Sequence, residues 1–424
     1  MISLINKGKK GEWKMKSKRI MTILLVISVL LFAVGAVAAN GLTDREELGK
    51  AIFFDTNLSI NNNQSCAACH ALESGWTGPI RAINAGGAVY EGSIPDKFGN
   101  RKPPSAAYAT PSPILHYDSD EALFIGGNFW DGRATGERLG NPAAEQALGP
   151  FLNPLEQALN SPGDVISRIC ASDYSSLFKD VCGPDACDPA NVSAAYDCVG
   201  LSVAAYEASS EVNQFSSKYD AFLKGQVKLT KEEKKGLNLF KSKGKCSNCH
   251  LLDPGPNGEP PLFTDFTFDN LGVPRNPVNP FYSEPDFNPQ GVAWIDLGLG
   301  GFLESRTDYQ QFAAENNGKM KVPTLRNVDK WDTTELGTQS KAYAHNGYFK
   351  TLKQIVHFYN TRDAKPRCED DFTSVDDAIA QGCWPAPEMP ENVNTDELGN
   401  LHLTDAQEDA IVAFLKTLSD DFIP

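Results

Sequence analysis

Two copies of one five-residue cluster of thiol and imidazole groups occur in this chain. Cys66-Ala67-Ala68-Cys69-His70 is matched, 180 residues later, by Cys246-Ser247-Asn248-Cys249-His250. At this spacing the two thiols can add across the vinyl groups of one haem, and the adjacent histidine can become its proximal iron ligand. A zinc knuckle or a redox dithiol would also use C-x-x-C, but neither needs the following histidine. The sequence therefore predicts two covalently bound c-type haems.

An export signal is predicted at residues 1–39. Seven basic residues between Lys7 and Arg19 precede an apolar run, and small residues up to Ala39 suit cleavage. The apolar run is about 18 residues long, so an uncleaved membrane anchor is the alternative. Either way we expect the body of the protein in the periplasm, where bacteria attach c-type haem.

The net charge limits the partners. Removal of residues 1–39 takes away seven basic residues and one glutamate, which changes the formal charge from −15 to −21. Such a surface excludes nucleic acid and anionic membrane, and it can steer a basic redox protein towards the chain. Solubility alone is the alternative interpretation.

Six cysteines remain once the four haem thiols are set aside. An even number in an oxidising compartment indicates three disulfides. We predict a bond between Cys368 and Cys383, which share one polar loop, and expect the other four to pair among themselves. Free buried thiols are the alternative. The other four are Cys170, Cys182, Cys187 and Cys198.

The chain has the pattern of a diverged duplication. Capping boxes begin helices at Thr43 and Thr230, each just before a C-x-x-C-H motif, and a third begins a closing helix at Thr404. The segment 201–206 is the expected counterpart of that closing helix in the first half. Glycine- and proline-rich segments separate these helices. We predict a mainly α fold of two cytochrome c-like domains, each around one covalent haem, with long irregular loops.

The boundary between these domains is predicted near residues 219–229. The N-terminal domain then covers residues 40–225 and the C-terminal domain covers residues 226–424.

Five further motifs resemble those of the bacterial di-haem cytochrome c peroxidase family, and within it the MauG-like subgroup. The resemblance implies hydrogen peroxide as substrate, met by the N-terminal haem, while the second haem supplies or stores oxidising equivalents. It also implies electrons from a small cytochrome c or cupredoxin, or from a side chain of a protein substrate. The motifs are Phe129-Trp-Asp-Gly-Arg133, Glu145-Gln-Ala-Leu-Gly-Pro150, Asn153-Pro-Leu-Glu156, Val322-Pro-Thr-Leu-Arg-Asn327 and His345-Asn-Gly347.

The same resemblance implies a peroxide pocket. Glu156 matches the family's catalytic glutamate, which moves a proton from the inner to the outer peroxide oxygen. Gln146 and Pro150 resemble the residues that flank it. An insertion within 134–142 shifts the spacing, so Glu145 is the fallback base. Without the family, either glutamate would be interpreted as a solvated surface charge.

Trp130 resembles the tryptophan that lies between the haems in this family. An indole in that place can carry electrons from one haem to the other. By itself, Trp130 would be interpreted as a packed core aromatic.

Iron ligation distinguishes the subgroup. Conventional peroxidases cap the first haem with a histidine shortly after its motif, but residues 71–115 contain none. The first haem is therefore predicted to be open on its distal side. His116 is the sole rival, and we expect it in a loop.

For the second haem, the resemblance implies Tyr359 as distal ligand, fourteen residues after His345. Without the family, Tyr359 would be interpreted as a core tyrosine on an apolar helix face, and His357 should point away from that face. Met320 and Met389 are the other candidates. A phenolate is a hard, anionic ligand that favours oxidised iron, whereas a thioether favours ferrous iron.

The family also places a calcium ion between its domains. The matching stretch is Asn100-Arg-Lys-Pro-Pro104, together with the carbonyls of Ser340 and Ala342. Lys102 stands where asparagine is expected, and Asn100 is the alternative donor.

Two rival functions remain. A non-enzymatic di-haem electron carrier would need six ligands on both irons, and the small number of histidines disfavours it. The second rival is a subunit whose haems only pass electrons to or from another enzyme, and such a subunit would co-purify with that enzyme. We favour the hypothesis of a periplasmic di-haem peroxidase.

Overall fold

Two crossed pairs of helices, one in each half of the chain, organise the fold. In the first half, Asp44–Phe54 packs across Val192–Ala208. In the second half, Lys231–Lys241 packs across Asp405–Leu415. Each pair follows the predicted order of a helix before the C-x-x-C-H motif and a helix that closes the half. The predicted duplication is confirmed.

The structure, a computed structural model, describes residues 41–255, 257–331 and 341–423. Its α-helices are α1 Asp44–Phe54, α2 Cys66–Cys69, α3 Arg81–Ala85, α4 Pro142–Leu152, α5 Pro162–Cys170, α6 Ser175–Cys182, α7 Val192–Ala208, α8 Lys218–Leu223, α9 Lys231–Lys241, α10 Gly298–Glu304, α11 Leu352–Thr361, α12 Val375–Gln381 and α13 Asp405–Leu415. Its strands form two antiparallel pairs, the hairpin of β1 His116–Asp118 with β2 Leu123–Ile125 and the long-range pair of β3 Phe268–Asp269 with β4 Met320–Lys321. Short 3₁₀ turns and irregular loops connect these elements. The mainly α prediction is confirmed.

The capping boxes at Thr230 and Thr404 form as predicted, because each threonine side chain accepts the backbone N–H three residues on. From Asp44 onward the chain is one compact unit, and the domain boundary near 219–229 stays a prediction. Within the described residues, no helix is long and apolar enough to cross a bilayer. The predicted export signal or anchor at 1–39 lies outside them.

A glycine at each crossing lets the two helix backbones touch. A Cβ atom added to Gly49 would overlap the carbonyl oxygen of Ser202, and one added to Gly236 would overlap that of Ala410. Both carbonyl oxygens belong to helix backbones, which cannot shift locally to make room for a side chain. The close approach therefore requires glycine at both positions.

Three aromatic rings fill the space beside each crossing. Their centroids lie 5.6 to 6.0 Å apart in the first half and 5.2 to 6.4 Å apart in the second, in edge-to-face geometry. The trios are Phe53, Trp76 and Tyr206, and Phe240, Phe263 and Phe414. Each trio joins its helix pair to the loop that follows the C-x-x-C-H motif.

Three disulfides close short loops, as predicted. The predicted Cys368–Cys383 bond is present, and the remaining four cysteines pair among themselves. Loops of this length restrict the unfolded chain by about 3 kcal/mol each in the chain-entropy model. The other bonds are Cys170–Cys187 and Cys182–Cys198.

Replacement of Gly236 by alanine should destabilise the second helix crossing. The added methyl group overlaps backbone atoms of α13, and overpacking of this kind lowers the free energy of unfolding by about 1–3 kcal/mol. Gly163→Ala, in helix α5 with only ordinary contacts around its Cβ position, is the matched control and should be neutral or slightly stabilising. Urea unfolding of the haem-loaded variants measures both. Equal stabilities would contradict the role of the crossing.

Candidate functional site: two cavities with a C-x-x-C-H motif in each wall

The first cavity has a volume of about 1110 Å³ including its open mouth. Cys66, Cys69 and His70 lie in its wall. Their side chains project from a single helical turn, because helix α2 begins at Cys66 and ends at Cys69 and the His70 N–H donates to the Cys66 carbonyl at 2.9 Å. The three side chains can therefore reach a single macrocycle.

The second cavity is larger, about 1750 Å³, and contains Cys246, Cys249 and His250 in its wall. Within the described residues, the cysteines outside disulfides are those of the two motifs. Burial raises the pKa of both Cys66 and Cys246 to about 12, so these thiols stay protonated. Each cavity thus offers a free thiol pair beside an imidazole, a donor set that fits one covalent haem c.

Both motif histidines are fixed by a hydrogen bond from Nδ1. His70 donates to the Trp76 carbonyl at 3.2 Å, and His250 donates to the Phe263 carbonyl at 2.8 Å. The ring proton then lies on Nδ1, which leaves Nε2 as the iron-binding nitrogen. Burial lowers the pKa of His70 to about 4 and also lowers that of His250, so both rings are neutral, as iron ligation requires.

The residues predicted for the peroxide pocket all lie in the wall of the first cavity. Gln146 and Pro150 are one turn apart on helix α4. After this helix the chain bends back, since the Glu156 N–H donates to the Asn153 carbonyl at 2.9 Å. Trp130 completes the group on the side that faces the second cavity.

Glu156 has a carboxyl group suited to proton transfer. Burial raises its pKa, while the Arg133 guanidinium opposes the shift without cancelling it. Arg133 is held in place by the ring of Phe129, 3.7 Å away, and by Asp131 at 2.7 Å. A raised pKa brings the carboxyl closer to the range in which it both accepts and returns a proton.

The fallback base, Glu145, has a different setting. Its carboxylate accepts backbone N–H groups of Gly136 at 2.8 Å, Arg138 at 2.7 Å and Leu139 at 2.9 Å. It holds the inserted loop against helix α4, and it is not among the residues of the cavity wall. The geometry favours Glu156.

The first cavity offers one histidine for iron. Among the described residues in its wall, His70 is the only histidine, and methionine is absent. His116 is exposed and its Nδ1 contacts the Ile114 carbonyl at 2.9 Å. The prediction of a loop at His116 is wrong, since it begins strand β1, whose pairing with β2 the sequence did not signal.

The far side of the second cavity contains Tyr359 together with Met320 and Met389. The Tyr359 hydroxyl has no hydrogen-bond partner in the part of the chain that the structure describes, and burial raises its pKa. His357 points away as predicted, with Nδ1 2.9 Å from Glu408 and Nε2 2.8 Å from Lys365. The hydroxyl is thus free to bind a metal ion.

Trp130 lies between the two cavities and lines both. Its indole N–H donates to the Lys102 carbonyl at 2.8 Å, and its ring centroid lies 6.4 Å from that of His345. The segment matched to the family's calcium site contains Asn100 and Lys102, which line the first cavity together with Trp130. Ala342 is buried beside the second cavity, and Ser340 lies outside the described residues.

Two residues named in the sequence motifs are also buried at the site: Lys102 lines both cavities and His345 lines the second. One residue, Glu207, was missed in the sequence, and it is buried in the wall of the first cavity. No described residue hydrogen-bonds to the Glu207 carboxyl, and burial raises its pKa to about 8. The one hint of its burial in the sequence is its spacing, because Glu207 comes one helical turn after Val203 on the buried face of α7.

Glu207 should make stability fall with rising pH. The folded state keeps this proton up to about pH 8, whereas the unfolded state releases it near pH 4.5, so the contribution is lost as pH rises between them. The expected change is of the order of a few kcal/mol. Glu207→Gln should flatten the melting temperature of the haem-loaded protein between pH 5 and 8, whereas Glu73→Gln, on the surface, should not. An unchanged slope in Glu207→Gln would refute the assignment.

Known proteins share this arrangement. The family model for di-haem cytochrome c peroxidase matches residues 43–228. The methylamine utilization protein MauG of Paracoccus denitrificans is 33% identical over 375 residues, 88% of each chain. The cytochrome c551 peroxidase of Nitrosomonas europaea is 28% identical over 80% of this chain and 84% of its own. The crystal structure of the diheme peroxidase BthA from Burkholderia thailandensis superposes with a TM-score of 0.73 at 29% identity, covering 92% of this chain and 88% of that one. The chain belongs to the di-haem cytochrome c peroxidase family.

Proposed function

We propose that this chain is a periplasmic di-haem peroxidase of MauG-like ligation that reduces hydrogen peroxide. One observation carries the proposal. The wall of the first cavity contains the neutral imidazole of His70, a buried carboxyl of raised pKa, Glu156, and no second histidine or methionine among its described residues. An open iron position beside a proton carrier is what peroxide cleavage requires.

Cys66, Cys69 and His70 hold one haem, and Cys246, Cys249 and His250 hold the other. Bound haem supplies redox-active iron, whose potential depends on its axial ligands and burial.

Glu156 moves the proton that cleavage needs. In the haem-loaded protein its carboxylate would accept the proton of the inner peroxide oxygen and return it to the outer oxygen, which would leave as water when the O–O bond breaks. The two electrons for this cleavage would come from the haem centres and be restored by the external donor. The Asn153 turn fixes the backbone of Glu156, while Gln146 and Pro150 wall the pocket from helix α4. The Arg133 charge opposes the rise in the Glu156 pKa that burial causes, which favours the ionised carboxylate that accepts the proton.

Trp130 connects the two cavities. Its N–H is engaged with the Lys102 carbonyl, which fixes the ring plane, and its ring lines both cavities. The indole therefore offers a short path for electrons between them.

Tyr359 would supply an oxygen ligand to the haem iron of the larger cavity. Burial raises the pKa of its unpartnered hydroxyl, so the phenolate would form only when iron displaces the proton. A phenolate favours oxidised iron. This ligand suits a second haem that shares oxidising equivalents with the first better than one that waits as a reduced reservoir.

The electron source lies outside the chain. A small cytochrome c or cupredoxin would make the reaction peroxide detoxification, and a side chain of a partner protein would make it a protein modification. The formal charge of −21 for the chain without residues 1–39 favours a partner with a basic docking face.

A non-enzymatic electron carrier is the second candidate. It would require a second strong ligand at the first iron, and the described wall of that cavity contains no further histidine or methionine. The peroxidase is therefore favoured.

Glu156→Gln should lower the rate of peroxide turnover by about 10²- to 10⁴-fold, because the amide cannot carry the proton. The resting EPR spectrum should stay the same, since the variant keeps its shape. Glu145→Gln is the control, and it should lose some thermal stability but keep its rate. If Glu145→Gln loses the rate and Glu156→Gln keeps it, the assignment of the base is wrong.

Tyr359→Phe should alter the low-spin ferric EPR signal of the second haem and leave the high-spin signal of the first. Met320→Leu and Met389→Leu, in the same cavity, should leave both signals unchanged. A low-spin signal that survives in Tyr359→Phe and disappears in either methionine variant would transfer the ligand role to that methionine.

A further inference from the structure

Lys102 is a buried cation placed between the two haem cavities. Its side chain is 8% exposed and lines both cavities, beside Trp130. The ammonium donates to the Thr77 hydroxyl at 2.9 Å and to the Pro103 carbonyl at 3.0 Å. Among the described residues, no carboxylate forms an ion pair with it. Its charge is balanced by the dipoles of neutral oxygen atoms.

The backbone of Lys102 ties the structure around this cation together. Its N–H donates to the His345 carbonyl at 2.7 Å, and its carbonyl accepts the Trp130 indole N–H at 2.8 Å. One residue thus joins a segment of the first half, a segment of the second half and the aromatic ring between the cavities.

A second ammonium lies close by. Lys341 is 6% exposed, lines the second cavity and donates to the Asn327 carbonyl at 2.5 Å. Its pKa is lowered to about 7, first by burial and then by the charge of Lys102. An anion nearby would favour the charged form of both lysines. Each bound haem carries propionate carboxylates that can provide it.

A calcium ion does not fit among these groups. Calcium takes six to eight oxygen ligands, drawn from carboxylates, backbone and amide carbonyls and waters. The oxygens of Thr77 and Pro103 already accept the protons of Lys102. The preceding residue, Arg101, holds Asp131 and Asp296, each at 2.6 Å. A divalent cation would also be repelled by the two ammonium groups.

We propose that the Lys102 ammonium is a built-in cation that replaces the calcium ion expected between the haem cavities. The backbone carbonyl of Lys102 then holds Trp130 in place, its side chain supplies the positive charge, and the junction needs no metal ion other than haem iron. Burial lowers the pKa of Lys102 to about 8, so the charge is present below that pH and does not depend on the calcium concentration around the protein.

The first test is the metal content of the haem-loaded wild-type protein. After dialysis against EGTA, and separately after incubation with calcium chloride and desalting, elemental analysis should find haem iron and no stoichiometric calcium. The resting EPR spectrum and the melting temperature should be the same in both samples. One calcium per chain, or a spectrum that changes with EGTA and recovers with calcium, would overturn the proposal.

The second test removes the charge and keeps the aliphatic stem. In Lys102→Met the reduction potentials of the haems should fall, because a positive charge near iron stabilises the reduced form, and added calcium should not restore them. Lys350→Met is the matched control. Lys350 is a buried lysine that donates to the carbonyls of Asn84, Gly86 and Gly347 but lines neither cavity. Loss of the Lys350 ammonium should lower the stability of the protein and leave the reduction potentials of the haems unchanged.

Equal potentials in Lys102→Met and wild type would show that Lys102 has only a packing role, and calcium-dependent recovery of Lys102→Met would show a latent calcium site. Either result contradicts the proposal. Neither measurement uses peroxide turnover, so failure here is distinguishable from failure of the peroxidase assignment. If Lys102→Met does not fold, the metal content of the wild type still decides.

Discussion

The hydrogen bond from each motif histidine to the carbonyl of an aromatic residue determines the geometry of both cavities. The carbonyls belong to Trp76 and Phe263, whose φ angles of 61° and 55° lie in the left-handed region. Residues other than glycine adopt this region only when their surroundings hold them there. The surroundings are the two aromatic trios, and each trio is clamped by a helix crossing that only glycine permits. The iron ligand is thus oriented by packing that begins at Gly49 and Gly236.

Partly buried lysines, each bonded to neutral oxygen atoms, join the two halves of the chain. Lys321 of the second half donates to the Ser112 hydroxyl of the first at 3.0 Å, and Lys350 donates to the Gly86 carbonyl at 2.6 Å. Burial lowers the pKa of Lys321 to about 7 and that of Lys350 to about 8. These lysines connect the halves through hydroxyl and carbonyl oxygens and form no ion pair with a described carboxylate.

Local patterns were sufficient to predict much of this protein. The C-x-x-C-H motifs, the capping boxes at Thr230 and Thr404 and the Cys368–Cys383 pair depend on neighbours in the chain, and the structure contains each of these. Positions that depend on distant contacts were not predictable. Lys102 and Glu207 are charged residues that a sequence alone assigns to the surface, and only the packed halves bury them. His116 was misplaced because its short strand is defined by a partner and has no pattern of its own.

The disulfides have a consequence for biogenesis. Each bond joins cysteines 15 to 17 residues apart, within one local segment, and none of these segments contains a C-x-x-C-H motif. Oxidative folding can therefore complete these bonds without recruiting Cys66, Cys69, Cys246 or Cys249. Those four thiols must stay reduced if they are to bond to haem, and the short reach of the other cysteines protects them from wrong pairing. Attachment of the cofactor and oxidation of the chain can thus proceed side by side.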